Sequence, residues 1–206
     1  MRVGLHDHES KKYPNLALMK ISAYHKELGD SVEWYDPLLR EYDKVYSSKV
    51  FTWTKQDPYL PKDAIIGGTG FDIKTKLPYE IEHILPDYDL YNCDVSYGFI
   101  TRGCIRNCKW CFVPEKEGGI KYNTNIEEFL LHDKAVLMDN NVLACEEGIK
   151  EIENIAKLGV KVDFNQGLDA RLIDNSIAKL LSRVKWLKPV RLACDSFSIV
   201  LLFHRE

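Results

Sequence analysis

The sequence predicts an α/β protein built on parallel sheets. Two observations favour this class: short apolar runs typical of strands alternate with segments of helical periodicity, and polar or glycine-rich stretches follow the strand-like runs. Ligands of open parallel sheets usually bind beyond the carboxyl ends of the strands, so these stretches are candidate functional sites. The alternation occurs in two blocks with different spacing, which indicates two domains.

The first block predicts an open, mainly parallel sheet. The strand-like run "RVGLH" precedes a helical pattern that ends at Gly29, and the runs "SVEWY", "KVYSSKVF" and "AIIGG" follow. The last run leads into "GGTG". Since neither GxGxxG nor GxxxxGK[ST] is present, a tight turn is favoured over a nucleotide-binding loop. Pro78 and Pro86 come next, which predicts a domain at 1–92 whose linker starts at about residue 71.

The second block, residues 93–206, predicts the alternation of a βα barrel. Strands are expected at "DVSYGFIT", "KAVLMD", "VKVDFN" and "PVRLAC", separated by helices at "NIEEFLLHD", "CEEGIKEIENIAKLG" and "DNSIAKLLSRVKWL". A polar loop follows each strand. Because such loops meet at one face of a barrel, the cysteine loop, residues 139–141, residues 165–171 and the pair Asp195 and Ser196 are expected to lie together.

The barrel is expected to be incomplete. Residues 93–206 supply four strand-like runs, and the stretch after Ser196, "FSIVLLFHRE", has no helix signal and no polar face. An incomplete barrel leaves a strand edge with unpaired backbone groups. This predicts self-association, or pairing with another chain, through the open edge.

Composition favours a cytoplasmic protein. No apolar run of about 18 residues occurs, and the N-terminus "MRVGLHDHES" soon turns polar, which predicts neither a membrane span nor a secretory signal. The net charge of -3 implies no general affinity for nucleic acid. Because cytoplasmic thiols stay reduced, the six cysteines indicate metal binding or catalysis rather than disulfides.

Three of the cysteines lie close together in "TRGCIRNCKWCF". Cys104, Cys108 and Cys111 are spaced by three residues and then by two, with no fourth cysteine nearby. A structural zinc site normally takes four ligands in two separated pairs, and a redox CxxC pair would leave Cys104 without a role. A 4Fe-4S cluster held by three thiolates uses all three and leaves one iron open, which explains the spacing best. The zinc site and the redox pair are the alternatives.

The stretch "GCIRNCKWCFVP" resembles the cluster motif of the radical S-adenosylmethionine (SAM) superfamily. The CxxxCxxC spacing, the aromatic residue before the last cysteine and the position after the first strand of a βα barrel all match, and the resemblance covers residues 94–196. It implies a radical SAM partial barrel, in which the three cysteines bind three irons and SAM chelates the fourth. The SAM-contacting candidates that it implies are Trp110 against the adenine, and Asp139, Asn140, Asn141, Asn165, Gln166 and Arg171 in later loops. Where the family commonly has glycines and an acid after the second strand, this chain has "MDNN".

The first block is similar to another domain of the same superfamily. Its stretches "YPNLALMKISAYHKELGDSVEWY" and "IIGGTG" resemble the Rossmann-like, cobalamin-binding-type domains that precede the barrel in one branch. Those domains often carry a DxHxxG loop for the cofactor. This chain has none, which puts cobalamin in doubt as a ligand.

The resemblance also implies a reaction. A radical SAM protein cleaves SAM reductively to methionine and a 5'-deoxyadenosyl radical, which abstracts hydrogen from a substrate that this sequence does not identify. The partners it implies are SAM and an external electron donor. Two other interpretations stay open: an inactive, truncated remnant, and a nonenzymatic iron-sulfur or zinc-binding module.

Overall fold

The computed structural model describes residues 1–193 and shows a mixed α/β protein with parallel sheets. The chain divides into two compact units, Met1–Cys93 and a second that begins at Asp94, and each has its own hydrophobic cluster. Within residues 1–193, no helix is long and apolar enough to cross a membrane. Cys194, the predicted loop residues Asp195 and Ser196, and the apolar tail lie outside the described residues.

The first unit contains a sheet of four parallel strands in the order β2-β1-β3-β4. Its elements are β1 (Arg2–Asp7), α1 (Leu16–Glu27), β2 (Ser31–Trp34), β3 (Lys44–Ser48), β4 (Ile65–Gly67), α2 (Tyr79–Glu82) and a 3₁₀ turn at Tyr88–Tyr91. The second strand in sequence lies on one side of β1 and the third on the other. The direction of winding therefore changes between β1 and β3, where open α/β sheets usually form a ligand crevice.

Alternation along β1 and helical spacing along α1 build the core of the first unit. Val3 and Leu5 of β1 pack with Leu18 and Ile21 of α1, all nearly inaccessible to solvent. The helix begins after Asn15, whose Oδ1 accepts a hydrogen bond from the Leu18 amide at 3.3 Å. Burial of these apolar side chains holds the helix on the sheet.

The segment predicted as a linker packs onto the first unit instead. Ile81 of α2 joins the core, and Lys20 Nζ pairs with Glu82 Oε1 at 3.1 Å. Further on, the Tyr91 hydroxyl donates to Asp7 Oδ2 at 2.7 Å. Pro78 starts α2 rather than breaking a chain, because proline is tolerated where a helix begins.

The second unit is built on another parallel sheet. Its described elements are β5 (Ser96–Gly98), β6 (Thr101–Arg102), α3 (Val113–Lys116), β7 (Lys121–Tyr122), β8 (Lys134–Leu137), α4 (Glu146–Leu158), β9 (Lys161–Phe164), β10 (Leu168–Asp169), α5 (Asn175–Leu181), β11 (Lys185–Trp186) and β12 (Leu192–Ala193). Among the residues described, β5, β8, β9 and β11 pair in sequence order and in parallel. Two short pairs accompany them, β6 with β7 and β10 with β12.

The prediction that "PVRLAC" supplies the fourth strand of this sheet is wrong. The stretch "PVRLAC" does not join the main sheet within the described residues; its residues Leu192–Ala193 pair with β10. The fourth position is taken by Lys185–Trp186, at the end of a stretch predicted as helix. The helix α5 stops at Leu181, and the run "RVKW" then alternates between buried Val184 and exposed Lys185, the pattern of a strand.

Of the other two predicted helices, one forms a full α-helix and the other only a short turn. "CEEGIKEIENIAKLG" forms α4, which buries Ile152 and Ile155 and ends at Gly159 with a φ of +70°. "NIEEFLLHD" gives only a 3₁₀ turn at Ile126–Glu128, capped by Asn125. Its apolar residues still pack, since Ile126 and Phe129 are buried.

Candidate metal centre

The cysteine loop is closed at its base by backbone contacts. β6 and β7 flank it as an antiparallel pair, and the Cys104 amide donates to the Gly118 carbonyl at 3.3 Å. Gly103 has a φ of +81°, and a Cβ there would clash with the carbonyl oxygen of Gly119. Only glycine fits this position without strain, so the sequence "RGC" fixes how the chain enters the loop.

Glu117 ties the cysteine loop to the loop after β8. Its buried Oε2 accepts hydrogen bonds from the Gly103 amide at 2.8 Å and from Asn140 Nδ2 at 3.0 Å. Its other oxygen lies 3.6 Å from Arg102 Nη1. The predicted SAM contact Asn140 therefore has its amide group engaged, and its carbonyl oxygen is the atom left for a further partner.

The three cysteines share the loop but differ in exposure. Cys104 and Cys108 are partly buried, whereas Cys111 is exposed. Two N–H groups point at the Cys104 sulfur: the Arg106 amide at 3.3 Å and Asn141 Nδ2 at 3.5 Å. In the part of the chain that the structure describes, no three His, Cys, Asp or Glu side chains lie together in a group that could hold a metal ion.

Trp110 is a surface residue of the loop. Its side chain is 73% exposed, so it is not the core aromatic that a structural role would require. Ile105 and Phe112 are also exposed. The loop therefore presents apolar side chains to its surroundings, which is typical of a surface that contacts a ligand.

Asp169 is the charged centre of the site, although the sequence did not single it out as a site residue. Its side chain, 5% exposed, accepts hydrogen bonds from Arg106 Nε at 3.0 Å and from Arg171 Nε at 2.7 Å. Asn141 Nδ2 lies 3.4 Å from it. Burial acts to raise the pKa of Asp169, but the hydrogen bonds from Arg171 and Arg106 outweigh it and hold this pKa below its usual range. Asp169 thus connects the cysteine loop, the loop after β8 and the loop after β9.

Asp139 has a structural role, because its carboxylate binds the segment before the cysteine loop. It is almost fully buried and accepts hydrogen bonds from the Thr101 amide at 2.5 Å, the Thr101 hydroxyl at 2.7 Å and the Ile100 amide at 3.3 Å. Burial raises the pKa of Asp139 to about 6, against the opposite effect of these hydrogen bonds. The carboxylate fixes the chain between β5 and the cysteine loop.

Asn141 carries an unused acceptor. The residue is nearly inaccessible, and its Oδ1 is buried without a hydrogen-bond partner among residues 1–193. Its Nδ2 faces Cys104 and Asp169, so the two ends of the amide have different surroundings. A buried acceptor with no donor costs free energy, which indicates that a donor is supplied by a ligand or by water.

The predicted site residues of the loop after β9 differ in their contacts. Asn165 and Gln166 are exposed, and neither side chain makes a hydrogen bond to the residues described. Arg171 binds Asp169 through Nε and Nη2, at 2.7 and 3.0 Å. The structure therefore brings Asn141 and Arg171 to the cysteine loop through Asp169, whereas the side chains of Asn165 and Gln166 take no part in this hydrogen-bond network within residues 1–193.

A signal for the missed residues exists in the sequence. Asp169 lies two residues before an arginine, in a loop that had already been singled out, and Glu117 follows the cysteine motif closely. Acids beside a basic loop are natural partners for its arginines. Which arginine they bind depends on the tertiary fold, so the sequence alone could not assign the pairs.

Fold and site together define an α/β protein with parallel sheets and a polar, cysteine-bearing site beyond the carboxyl ends of β5, β8 and β9. Comparison of the sequence with protein-family models and with curated proteins gives no match.

Proposed function

We propose that the chain is a radical SAM iron-sulfur protein with a 4Fe-4S cluster on Cys104, Cys108 and Cys111. The observation that carries the proposal is the CxxxCxxC loop, which follows the first strand of a parallel sheet and meets the loop after the second strand at Asn141. Three thiolates on one loop leave one iron for an exogenous ligand.

The sheet of the second unit supports a partial barrel. Its strands β5, β8, β9 and β11 follow one another in sequence order, the arrangement of a barrel wall, whereas doubly wound sheets change direction. The polar loops after the first three of these strands lie at the same edge. We infer that this edge is the SAM-binding face.

The surroundings of Cys104 suit a cluster ligand. The Arg106 amide and the Asn141 amide group both point at its sulfur, and hydrogen bonds to ligand sulfurs are one means by which proteins set a cluster potential. The ion pairs of Asp169 with Arg106 and Arg171 hold the loop that carries them. Asp169, Arg171 and Glu117 act here as positioning residues.

Two predicted SAM contacts have matching atoms. The buried Oδ1 of Asn141 needs a donor, and the N–H groups of the SAM amino group would supply one. The exposed ring of Trp110 offers a stacking surface for adenine, worth about 1 to 3 kcal/mol per base. Asp139 is left out of this set, because Thr101 and Ile100 occupy its oxygens.

With cluster and SAM bound, the site would supply a 5'-deoxyadenosyl radical for hydrogen abstraction from a substrate. The residues of the chain bind, orient and shield these groups, and an external donor supplies the electron.

We also propose a cytoplasmic location, where the loop thiols stay reduced. We further propose that an edge of the main sheet in the second unit that has no pairing strand within residues 1–193 is a surface for self-association.

Anaerobic reconstitution with iron and sulfide tests the proposal. We expect about four irons and four sulfides per chain and a visible absorption band, all lost in Cys104→Ala, Cys108→Ala and Cys111→Ala. Adding SAM should change the electron paramagnetic resonance spectrum of the reduced cluster, because SAM ligates the open iron.

Cys145→Ala is the matched control, since this buried thiol lies at the start of α4 and contacts Glu147 rather than the loop. Stoichiometric zinc without visible absorption would favour the zinc-binding module. Loss of iron in Cys145→Ala would show that the ligand assignment is wrong.

A further inference from the structure

Lys49 is a buried cation in the first unit, directly after β3 and at the carboxyl edge of the sheet. Its side chain is only 9% exposed, and Nζ makes no hydrogen bond or ion pair with any residue from 1 to 193. Nζ lies 4.7 Å from the centroid of the Phe71 ring. The stem of Lys49 is thus largely buried while its charge has no anionic partner within residues 1–193, and unpaired charges of this kind cluster at functional sites.

His8 meets the same aromatic ring from the end of β1. Its ring packs edge-on against Phe71, with centroids 5.1 Å apart at an angle of 81°. Nδ1 lies 3.3 Å from the Lys55 carbonyl oxygen, so Nδ1 carries a proton. Nε2 is buried and has no partner within residues 1–193. His8 therefore brings unused hydrogen-bonding capacity to the same ring that Lys49 contacts.

The turn "GGTG" fixes the lysine. The Lys49 amide donates to the Gly67 carbonyl at 3.0 Å, and the Gly70 amide donates to the Lys49 carbonyl at 2.8 Å. A Cβ on Gly68 would clash with the Lys49 carbonyl, and one on Gly70 would lie 2.8 Å from Lys49 Cγ. These glycines therefore let the turn close over the lysine stem and place Phe71 at its ammonium group.

The carboxylates in this region are already engaged. Asp7 accepts from the Tyr91 hydroxyl at 2.7 Å, and Glu9 accepts from the Val50 amide at 3.1 Å. The N-terminus of α1 is attached to the same edge, since Asn15 Nδ2 donates to Ser48 Oγ at 2.8 Å. The positive end of this helix dipole adds to the attraction for an anion.

We propose that this edge binds the oxyanion of a small-molecule ligand, a phosphate or a carboxylate group, at Lys49 Nζ and beside His8. The position coincides with the change of winding between β1 and β3, where open parallel sheets bind ligands. None of the residues involved belongs to the cysteine loop. The inference therefore stands whether or not the chain carries a cluster.

Titration of the full-length protein with inorganic phosphate, and separately with acetate, tests the site by calorimetry at constant ionic strength. The wild-type chain should bind at least one of the two saturably and show a higher melting temperature in its presence. Lys49→Met should weaken that binding by about tenfold or more, and His8→Phe should weaken it in the same direction. Tighter binding of phosphate than of acetate identifies a phosphorylated ligand, and the reverse order identifies a carboxylate.

A stability measurement separates binding from a structural role. Methionine keeps the apolar stem without the charge, so Lys49→Met should not lower the melting temperature of the ligand-free protein. Lys62→Met, which removes an exposed lysine of the same unit, should change neither the melting temperature nor the binding. The proposal is overturned if the wild-type chain binds neither anion saturably, if Lys62→Met weakens binding equally, or if Lys49→Met melts lower or does not fold.

Discussion

At the scale of single residues, buried polar side chains divide into those that hold the site together and those that have an unused atom. Asp139, Asp169 and Glu117 belong to the first kind, since each accepts more than one hydrogen bond. Asn141 belongs to the second, because its Oδ1 lacks a partner among residues 1–193. Substituting a residue of the first kind should change the stability of the protein, and substituting a residue of the second kind should change ligand binding.

The pH dependence of stability should report on Asp139. Burial raises its pKa in the folded protein from 3.8 to about 6, so the folded state holds a proton that the unfolded chain has lost. The stabilisation is fully present below about pH 4 and is lost as the pH rises through about 6, with a total of about 3 kcal/mol. Chemical denaturation of the metal-free chain at several pH values measures it.

Asp139→Asn should flatten this pH profile, because the amide does not titrate and its carbonyl oxygen still accepts from the Thr101 and Ile100 amides. Asp133→Asn, at an exposed carboxylate nearby, is the control and should leave the profile unchanged. Identical slopes for Asp139→Asn and the wild-type chain would contradict the assignment.

Asn141→Ala should separate SAM binding from cluster binding. The three cysteines remain, so the iron content should not change, whereas the lost acceptor should weaken SAM binding by about 1.5 kcal/mol, or about tenfold. Calorimetric titration of the reconstituted protein measures this. Asn175→Ala, an exposed asparagine, serves as the control. Unchanged SAM affinity in Asn141→Ala would remove this residue from the SAM site.

At the scale of elements, the cysteine loop depends on backbone geometry at one glycine. Gly103 combines a φ of +81° with a close approach to the Gly119 carbonyl, whereas Gly118 has a φ of +77° and open space around it. Gly119 also has open space and no positive φ. The three positions therefore separate strain from steric clash within one loop.

Alanine substitutions at these glycines should have graded effects on iron content after reconstitution. Gly103→Ala should lose most of the iron, because both strain and clash displace Cys104; strain alone costs about 1 to 3 kcal/mol. Gly118→Ala should have an intermediate effect, and Gly119→Ala almost none. Circular dichroism should show unchanged secondary structure, since α4 and α5 do not involve this loop. Full iron content in Gly103→Ala would contradict the account of the loop.

The sequence predicted most elements because their signals are local. Apolar alternation gave β1, β3, β8 and β9, and the amphipathic pattern with Gly159 gave α4. It failed at Lys185–Trp186, where a strand pattern of a few residues continues a helical one and only pairing with β9 decides between them. For the site, the sequence indicated that the cysteine loop and "MDNN" would lie together, and hydrogen bonds join them. It did not indicate Asp169, because the position of this residue at the site depends on tertiary contacts with Arg106.

At the scale of the whole molecule, the two units carry the two proposed sites, which differ in kind. The first sheet changes winding direction and has an uncompensated lysine at its carboxyl edge, whereas the second runs in sequence order and carries the cysteines. The two sites use different residues and different chemistry. A variant in one should leave ligand binding at the other measurable, which allows each proposal to be tested separately.

The formation of 5'-deoxyadenosine tests the proposed function most directly. The reconstituted chain, incubated anaerobically with SAM and dithionite, should produce 5'-deoxyadenosine and methionine in equal amounts, and Cys145→Ala should do the same. Cys108→Ala should produce neither above background. Full cluster content and SAM binding without 5'-deoxyadenosine above the Cys108→Ala background would contradict the proposal that this chain cleaves SAM.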